Sequence, residues 1–143
     1  MSLYTHILAA VELDDSGPAV LARAQELAVK FGAHLAVLHV VEYVAIDAGE
    51  ALMAAPPDLS RQLLDQARVK LLELCAPLGI AAESVSAVSG SITTEIPRVA
   101  RERRADLVIV GHPPRRGLSS WFSHTEQDVV QRAPCDVLVL NLS

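Results

Sequence analysis

Short apolar runs alternate along this chain with stretches whose apolar residues recur at helical spacing. HILAAV (6–11) is bounded by polar residues and predicts a buried strand. DDSGP then predicts a helix start, with Pro18 tolerable in the first turn. Val20, Leu21, Leu27, Ala28 and Phe31 give that helix an apolar face, and Gly32 supplies the stop. LAVLHVV (35–41) predicts a second buried strand. Residues 43–58 have weak periodicity and a double proline, which predicts a loop or lid with one helical turn. Asp58 reads as the cap of a long helix with the face Leu63, Leu64, Ala67, Leu71, Leu72, Cys75 and Leu78, ended by Gly79. ESVSAV (83–88) alternates, as a strand exposed on one side at a sheet edge would.

After SGS (89–91) a helix is expected from Thr94 to Arg104, with Pro97 required to lie in its first turn. ADLVIV (105–110) is the most hydrophobic run and ends at Gly111. A helix from Ser123 to Arg132 and a last strand within CDVLVL (135–140) complete the chain. Strands alternating with helices imply an α/β fold, here a single-domain doubly wound sheet of five parallel strands, order 3-2-1-4-5, with helices on both faces. There is no internal repeat and no linker, so residues 1–143 form one domain. Such sheets take ligands beyond the carboxyl ends of their strands, where strand order reverses. In this order AVELDD (10–15) meets the loop GHPPRRG (111–117) there.

Composition narrows the function. The chain is 51% hydrophobic but only 3% aromatic, so small aliphatics build a core of the kind that parallel strands need. A net charge of -5 argues against a general partner role with nucleic acid or a membrane surface. The charge is uneven: residues 98–116 carry six arginines against Glu102 and Asp106, which places the concentrated positive potential beside the 111–117 loop. Cys75 and Cys135 sit among apolar residues without metal or redox spacing, and read as reduced thiols of a cytoplasmic protein. No signal peptide is evident, and no run approaches the ~20 apolar residues of a membrane span.

The stretch GHPPRRGLSSWFSHTE (111–126) carries the candidate chemistry. A glycine ending a buried strand, then a basic loop, then a helix start, is a common way to hold phosphate. His112 and His124 flank the loop and Glu12 is near, but they read as loop and cap residues in preference to a metal or acid–base site. Ser123 and Glu126 have capping-box spacing, with Thr125 and Asp128 as an alternative frame. His39 reads as a packed strand residue. Arg98, Arg101, Arg103 and Arg104 read as the solvated face of a helix, leaving Arg115 and Arg116 to face a ligand.

Asp14 and Asp15 suggest a phosphorylated receiver domain, which fails on its chemistry. The third strand ends in Val88-Ser89-Gly90 without a phospho-accepting acid, and the only lysines, Lys30 and Lys70, fall on helices. There is no G-x-S-x-G elbow, no Walker lysine and no metal-spaced Cys/His cluster, so no enzyme is expected. Slow nucleotide hydrolysis would lack an obvious base.

ILAAVELDDSGPAVLARAQELA, VLHVVE, ADLVIVGH and HTEQDVVQRAPCDVLVLNL together resemble the universal stress protein family, in order and spacing, over essentially the whole chain. The resemblance implies an adenine-nucleotide-hydrolase-like fold. Nucleotide-binding members carry G-x2-G-x9-G-(S/T) after the fourth strand. The matching positions here are Gly111, Pro114, His124 and Thr125, so two of the four are kept. The ribose-side acid matches Glu12, following Ala10, and the adenine-side position matches Val40. Proline removes an amide donor and fixes φ near -65°. Losing a donor to a charged oxygen costs roughly 1.5–3 kcal/mol, or about ten- to over a hundredfold in affinity. His124 adds a side chain where phosphate would approach. Arg115, Arg116, Gly117, the hydroxyls of Ser123 and Thr125, and the helix N-terminus work the other way. The expectation is a degraded phosphate loop like that of the non-ATP-binding A-type subclass. No cofactor is assigned, with an ATP- or AMP-binding switch as the alternative.

The last strand is apolar at nearly every position and lies at a sheet edge, which would aggregate unless covered. The resemblance implies that two copies pair these strands antiparallel through Asp136, Val137, Leu138, Val139 and Leu140. The expected protein is a cytoplasmic, non-catalytic homodimer serving stress adaptation through unidentified protein clients.

Overall fold

The computed structural model describes residues 3–42, 45–48, 51–54, 57–112 and 124–142, with the backbone alone at 45–48, 51–54, 57–58 and 124–125. Five strands form the main sheet: β1 (His6–Ala10), β2 (His34–Glu42), β5 (Val85–Gly90), β6 (Leu107–His112) and β7 (Asp136–Asn141). All neighbours are parallel and the order is β5-β2-β1-β6-β7, the 3-2-1-4-5 arrangement that the alternating pattern predicts. Helices α1 (Gly17–Phe31), α2 (Pro57–Cys75), α3 (Ile92–Glu102) and α4 (His124–Arg132) cover it.

The central strands are apolar along their middles, His39 excepted, because both faces of the sheet are buried. Ile7 and Ala9, Leu35 and Val37, and Leu107 and Ile109 face α1 and α2, where they meet Val20, Leu21, Ala24, Leu71 and Cys75. Leu8, Ala36, Leu38, Val108 and Val110 face the other way, toward Ile96, Val99 and Ala100 of α3 and Val129 of α4. Side-chain alternation along each strand thus makes two cores, one per face.

Several boundaries depart from the sequence reading. The 43–58 connection holds an antiparallel hairpin, β3 (Ala45–Ala48) and β4 (Ala51–Ala54), where a loop with one helical turn was expected. The long helix begins at Pro57, so Asp58 is its second residue and not its cap. It closes at Cys75 into a 3-10 turn (Ala76–Leu78), after which Gly79 takes φ 73°. A second 3-10 turn (Ala82–Ser84) occupies the start of the predicted third strand.

Helix α3 starts at Ile92, because the Ser91 carbonyl already accepts the Thr94 and Glu95 amides. Pro97 therefore lies inside the helix and not in its first turn, and it is buried. The arginines of this region are less of a free face than expected. Arg98 pairs with Glu95 and Glu102, Arg101 donates to the Arg132 carbonyl, and Arg103 donates to the Glu83 carbonyl and the Ser86 hydroxyl. The positive excess is thus partly neutralised, and Arg101 and Arg103 are engaged by backbone and hydroxyl oxygens.

Candidate functional site

A crevice of about 420 Å³ opens at the carboxyl ends of β1 and β6, where strand order reverses. That volume lies in the range of small-molecule sites. Ala10, Leu38, Val40, Ile92, Ile96, Val110 and Val129 give it aliphatic walls, and Glu12, Asp14, Ser16, Gly111 and Glu126 line the rest. Ala10, Glu12, Val40 and Gly111 thus come together as the sequence predicts. His112 joins through a contact with Glu126. Arg115, Arg116 and Gly117 lie outside the described residues, as do Pro114 and Ser123, and His124 and Thr125 are the first two residues of α4.

The acidic side of the crevice is set by the turn from β1 into α1. Gly17 lies so close to the Glu12 carbonyl that a β-carbon would collide with it, so the turn admits only glycine without rearrangement. Pro18 follows in the first turn of α1, as predicted. The Asp14 carboxylate accepts both the Ser16 hydroxyl and the Ser16 amide, the latter at 2.9 Å. Those bonds, the hydroxyl's first, hold its pKa below the usual carboxylate value. Two donors that an anion could have used are therefore already engaged. His39 is buried and donates from Nδ1 to the Val11 carbonyl at 2.8 Å, which fits the packed strand role expected of it.

Glu12 stands at the rim, exposed on one side and crowded on the other. Burial by the surrounding chain pushes its pKa up, Asp14 and Glu42 add to this, and His39 opposes it. The linkage has a definite sign. A carboxyl with a raised native pKa binds more protons folded than unfolded, so stability declines as pH rises through the interval above the unfolded value. Glu12→Gln should accordingly stabilise the protein slightly at pH 7, by less than about 1 kcal/mol at so exposed a position, and raise its thermal midpoint. The gain should vanish as pH falls into the carboxylate range, which paired thermal melts at pH 4 and pH 7 would check.

Glu126 is the site residue that sequence reading missed. It is 8% exposed, and both of its carboxylate oxygens lie 2.8 Å from the Nδ1 of His112. This contact joins the end of β6 to the first turn of α4, across the loop between them. A signal existed in its spacing: Glu126 sits three residues before Val129, on the inward face of the helix. The capping-box spacing had supplied a solvent-facing explanation.

Gly111 marks the crevice floor. A β-carbon there would lie 2.8 Å from both Val20 Cγ2 and Leu142 Cδ1, so any larger residue would have to displace these two side chains, and packing favours glycine independently of a ligand. Among the described lining residues the charged groups are three carboxylates, Glu12, Asp14 and Glu126. A phosphate charge about 5 Å from a carboxylate meets roughly 3 kcal/mol of repulsion at an effective dielectric of about 20. No group of three or more His, Cys, Asp or Glu among the described residues has metal-holding geometry.

A parallel sheet whose strand order reverses beside an aliphatic crevice defines a doubly wound α/β domain. The family model described as the universal stress protein family matches residues 3–141, and the chain belongs to that family. It is 30% identical over 138 residues to universal stress protein A homolog 1 of Coxiella burnetii, covering 96% of each chain. A solved universal stress protein UspA from Lactobacillus plantarum has the same fold, with TM-score 0.64, 22% identity, and coverage of 96% of this chain and 97% of that one. A solved chain from Pseudomonas aeruginosa UCBPP-PA14, described as a universal stress protein, gives TM-score 0.72 at 25% identity. That match covers 96% of this chain and 47% of the other, so this chain spans about half its length. Among the described residues no helix is long and apolar enough to cross a membrane.

Proposed function

We propose that the chain works as a non-catalytic, cytoplasmic universal stress protein, a homodimer paired through β7, whose crevice does not clasp a triphosphate. The observation that carries this reading is the set of carboxylates Glu12, Asp14 and Glu126 on the described walls. Pro114 and His124 stand where the family's nucleotide-binding members have glycine, which supports it further. The only hydroxyl on the described walls, that of Ser16, is bonded to Asp14, so those walls offer no free nucleophile. Stress adaptation would then proceed through protein clients gathered by the dimer.

The crevice volume favours a second reading, an ATP- or AMP-dependent switch that grips phosphate through Arg115, Arg116 and Thr125. Thermal denaturation with and without 1 mM ATP and Mg²⁺ separates the two. A Kd of about 10 μM would stabilise by about 2.7 kcal/mol at that concentration, a shift of several degrees. The proposed function expects no shift, and a clear one would establish the switch in its place.

A further inference from the structure

At the pole opposite the crevice, two histidines meet that are far apart in sequence. His6 opens β1 and His34 opens β2, and the parallel register pairs them directly. Both are exposed, their ring centroids are 6.2 Å apart, and both rings line a pocket of about 150 Å³. We propose that His6 and His34 form a two-nitrogen chelate for a divalent transition ion of the imidazole-binding class, Cu²⁺, Ni²⁺ or Zn²⁺.

The geometry suits one ion between the rings. A metal–nitrogen bond of about 2.0–2.1 Å, plus about 1.1 Å from nitrogen to ring centre, allows two imidazoles on one ion to have centroids up to about 6.4 Å apart. That limit holds for nitrogens on opposite sides of the ion; at a tetrahedral angle the centroids stand about 5.2 Å apart, so the rings, now 6.2 Å apart, must close by about 1 Å through rotation of two exposed side chains.

The hydrogen bonds around the rings are those that ligating histidines need, in which one nitrogen is held and the other is left for the metal. The Thr5 hydroxyl donates its single proton to Asp106 at 2.9 Å. It must therefore accept from the Nδ1–H of His6, 3.0 Å away, and the lone pair of neutral His6 falls on Nε2. Asp106 also accepts the Thr5 and His6 amides at 2.8 and 3.0 Å. Burial opposes its ionisation, but these bonds outweigh it and lower its pKa, so the chain of bonds ends on an ionised carboxylate. On the other strand the Nε2 of His34 lies 3.1 Å from the hydroxyl of Ser84, which is 3% exposed. When Nε2–H donates to that hydroxyl, His34 presents its lone pair at Nδ1. Neither Nε2 of His6 nor Nδ1 of His34 has a hydrogen-bond partner among the described residues.

Arg103 lines the same pocket and works against a cation. Its NH2 is tied to the Glu83 carbonyl and the Ser86 hydroxyl, so its charge is fixed in place. This supplies a discriminating arm, because a pocket made for an anion would depend on Arg103 where a metal chelate is weakened by it.

The test is Cu²⁺ binding to the metal-free protein, followed by equilibrium dialysis and electron paramagnetic resonance. One ion should bind with nitrogen hyperfine structure from two imidazoles, and Zn²⁺ should compete. His6→Gln and His34→Gln should each lower affinity at least tenfold while the metal-free thermal midpoint stays near that of the parent. Thr5→Ala should weaken binding to a smaller degree, and Thr5→Ser should restore it, which marks Thr5 as a positioning residue. Arg103→Gln should tighten binding severalfold. Binding no stronger than that of the His6→Gln/His34→Gln double variant would overturn the proposal, as would weaker binding by Arg103→Gln.

Discussion

Replacing both Val137 and Val139 with lysine should leave the protein a monomer at tens of micromolar, where the parent chain is expected to scatter light as a dimer. β7 lies at the end of the sheet order and pairs with β6 on one side only. Its middle residues Val137, Leu138 and Val139 are half-buried within the protomer, and Leu140 is buried. A long apolar edge with unpaired amides is a template for another strand, and an antiparallel copy of itself is the natural closure. Two lysines per chain place four charges along such a seam. Repulsion and lost apolar contact should exceed about 3 kcal/mol per dimer, over a hundredfold in dissociation constant. Both valines also touch the α3–α4 core, so each change will cost the monomer about 1–3 kcal/mol and circular dichroism must show that it still folds. A dimer that survives both lysines, or a parent chain that is monomeric, would remove β7 pairing from the functional reading.

The second large effect lies in the phosphate loop. Pro114→Gly with His124→Gly restores a donor and clears a side chain, which together should tighten ATP by about a hundredfold or more. Glu126→Gln added to that pair replaces the carboxylate that His112 contacts with a neutral amide and should tighten it again. The expected readout is a thermal midpoint indifferent to 1 mM ATP in the parent and raised by several degrees in the triple variant. If the triple variant also ignores ATP, the loop substitutions and Glu126 are not what exclude the nucleotide. The aliphatic walls or the acids of the β1–α1 turn would then have to be the cause.

Much of the architecture could be read from the chain because the central strands are buried on both faces. HILAAV, LAVLHVV and ADLVIV are apolar at nearly every position, and the helices between them carry one-sided stripes. The reversal of strand order predicts that Ala10 and Glu12 meet Gly111 in one crevice, and the family resemblance adds Val40 to it. The β3–β4 hairpin was illegible because AIDA and ALMA are rich in alanine, which has little strand preference, and too short for alternation to register. Pro97 misled because proline signals a helix start by local rules, whereas Ser91 had already begun the helix two residues earlier than predicted.

The functional misses share a different cause. Glu126 looked like a capping residue because spacing along one helix cannot show what lies across from it. His6 and His34 are twenty-eight residues apart, and only the register of β1 against β2 makes them neighbours. Arg103 was grouped with its helix, yet its side chain crosses to β5. Each of these pairings is long-range, and periodicity has nothing to say about such contacts.

Gly111 bears on how family signatures are interpreted. Its missing side chain leaves room for Val20 and Leu142, and the Leu142 amide donates to the His112 carbonyl. Packing against these two side chains favours a glycine here whether or not an anion binds. A motif scan that scores this position as evidence of ligand recognition therefore counts a joint of the scaffold, and the informative letters of the signature are the ones that touch nothing else.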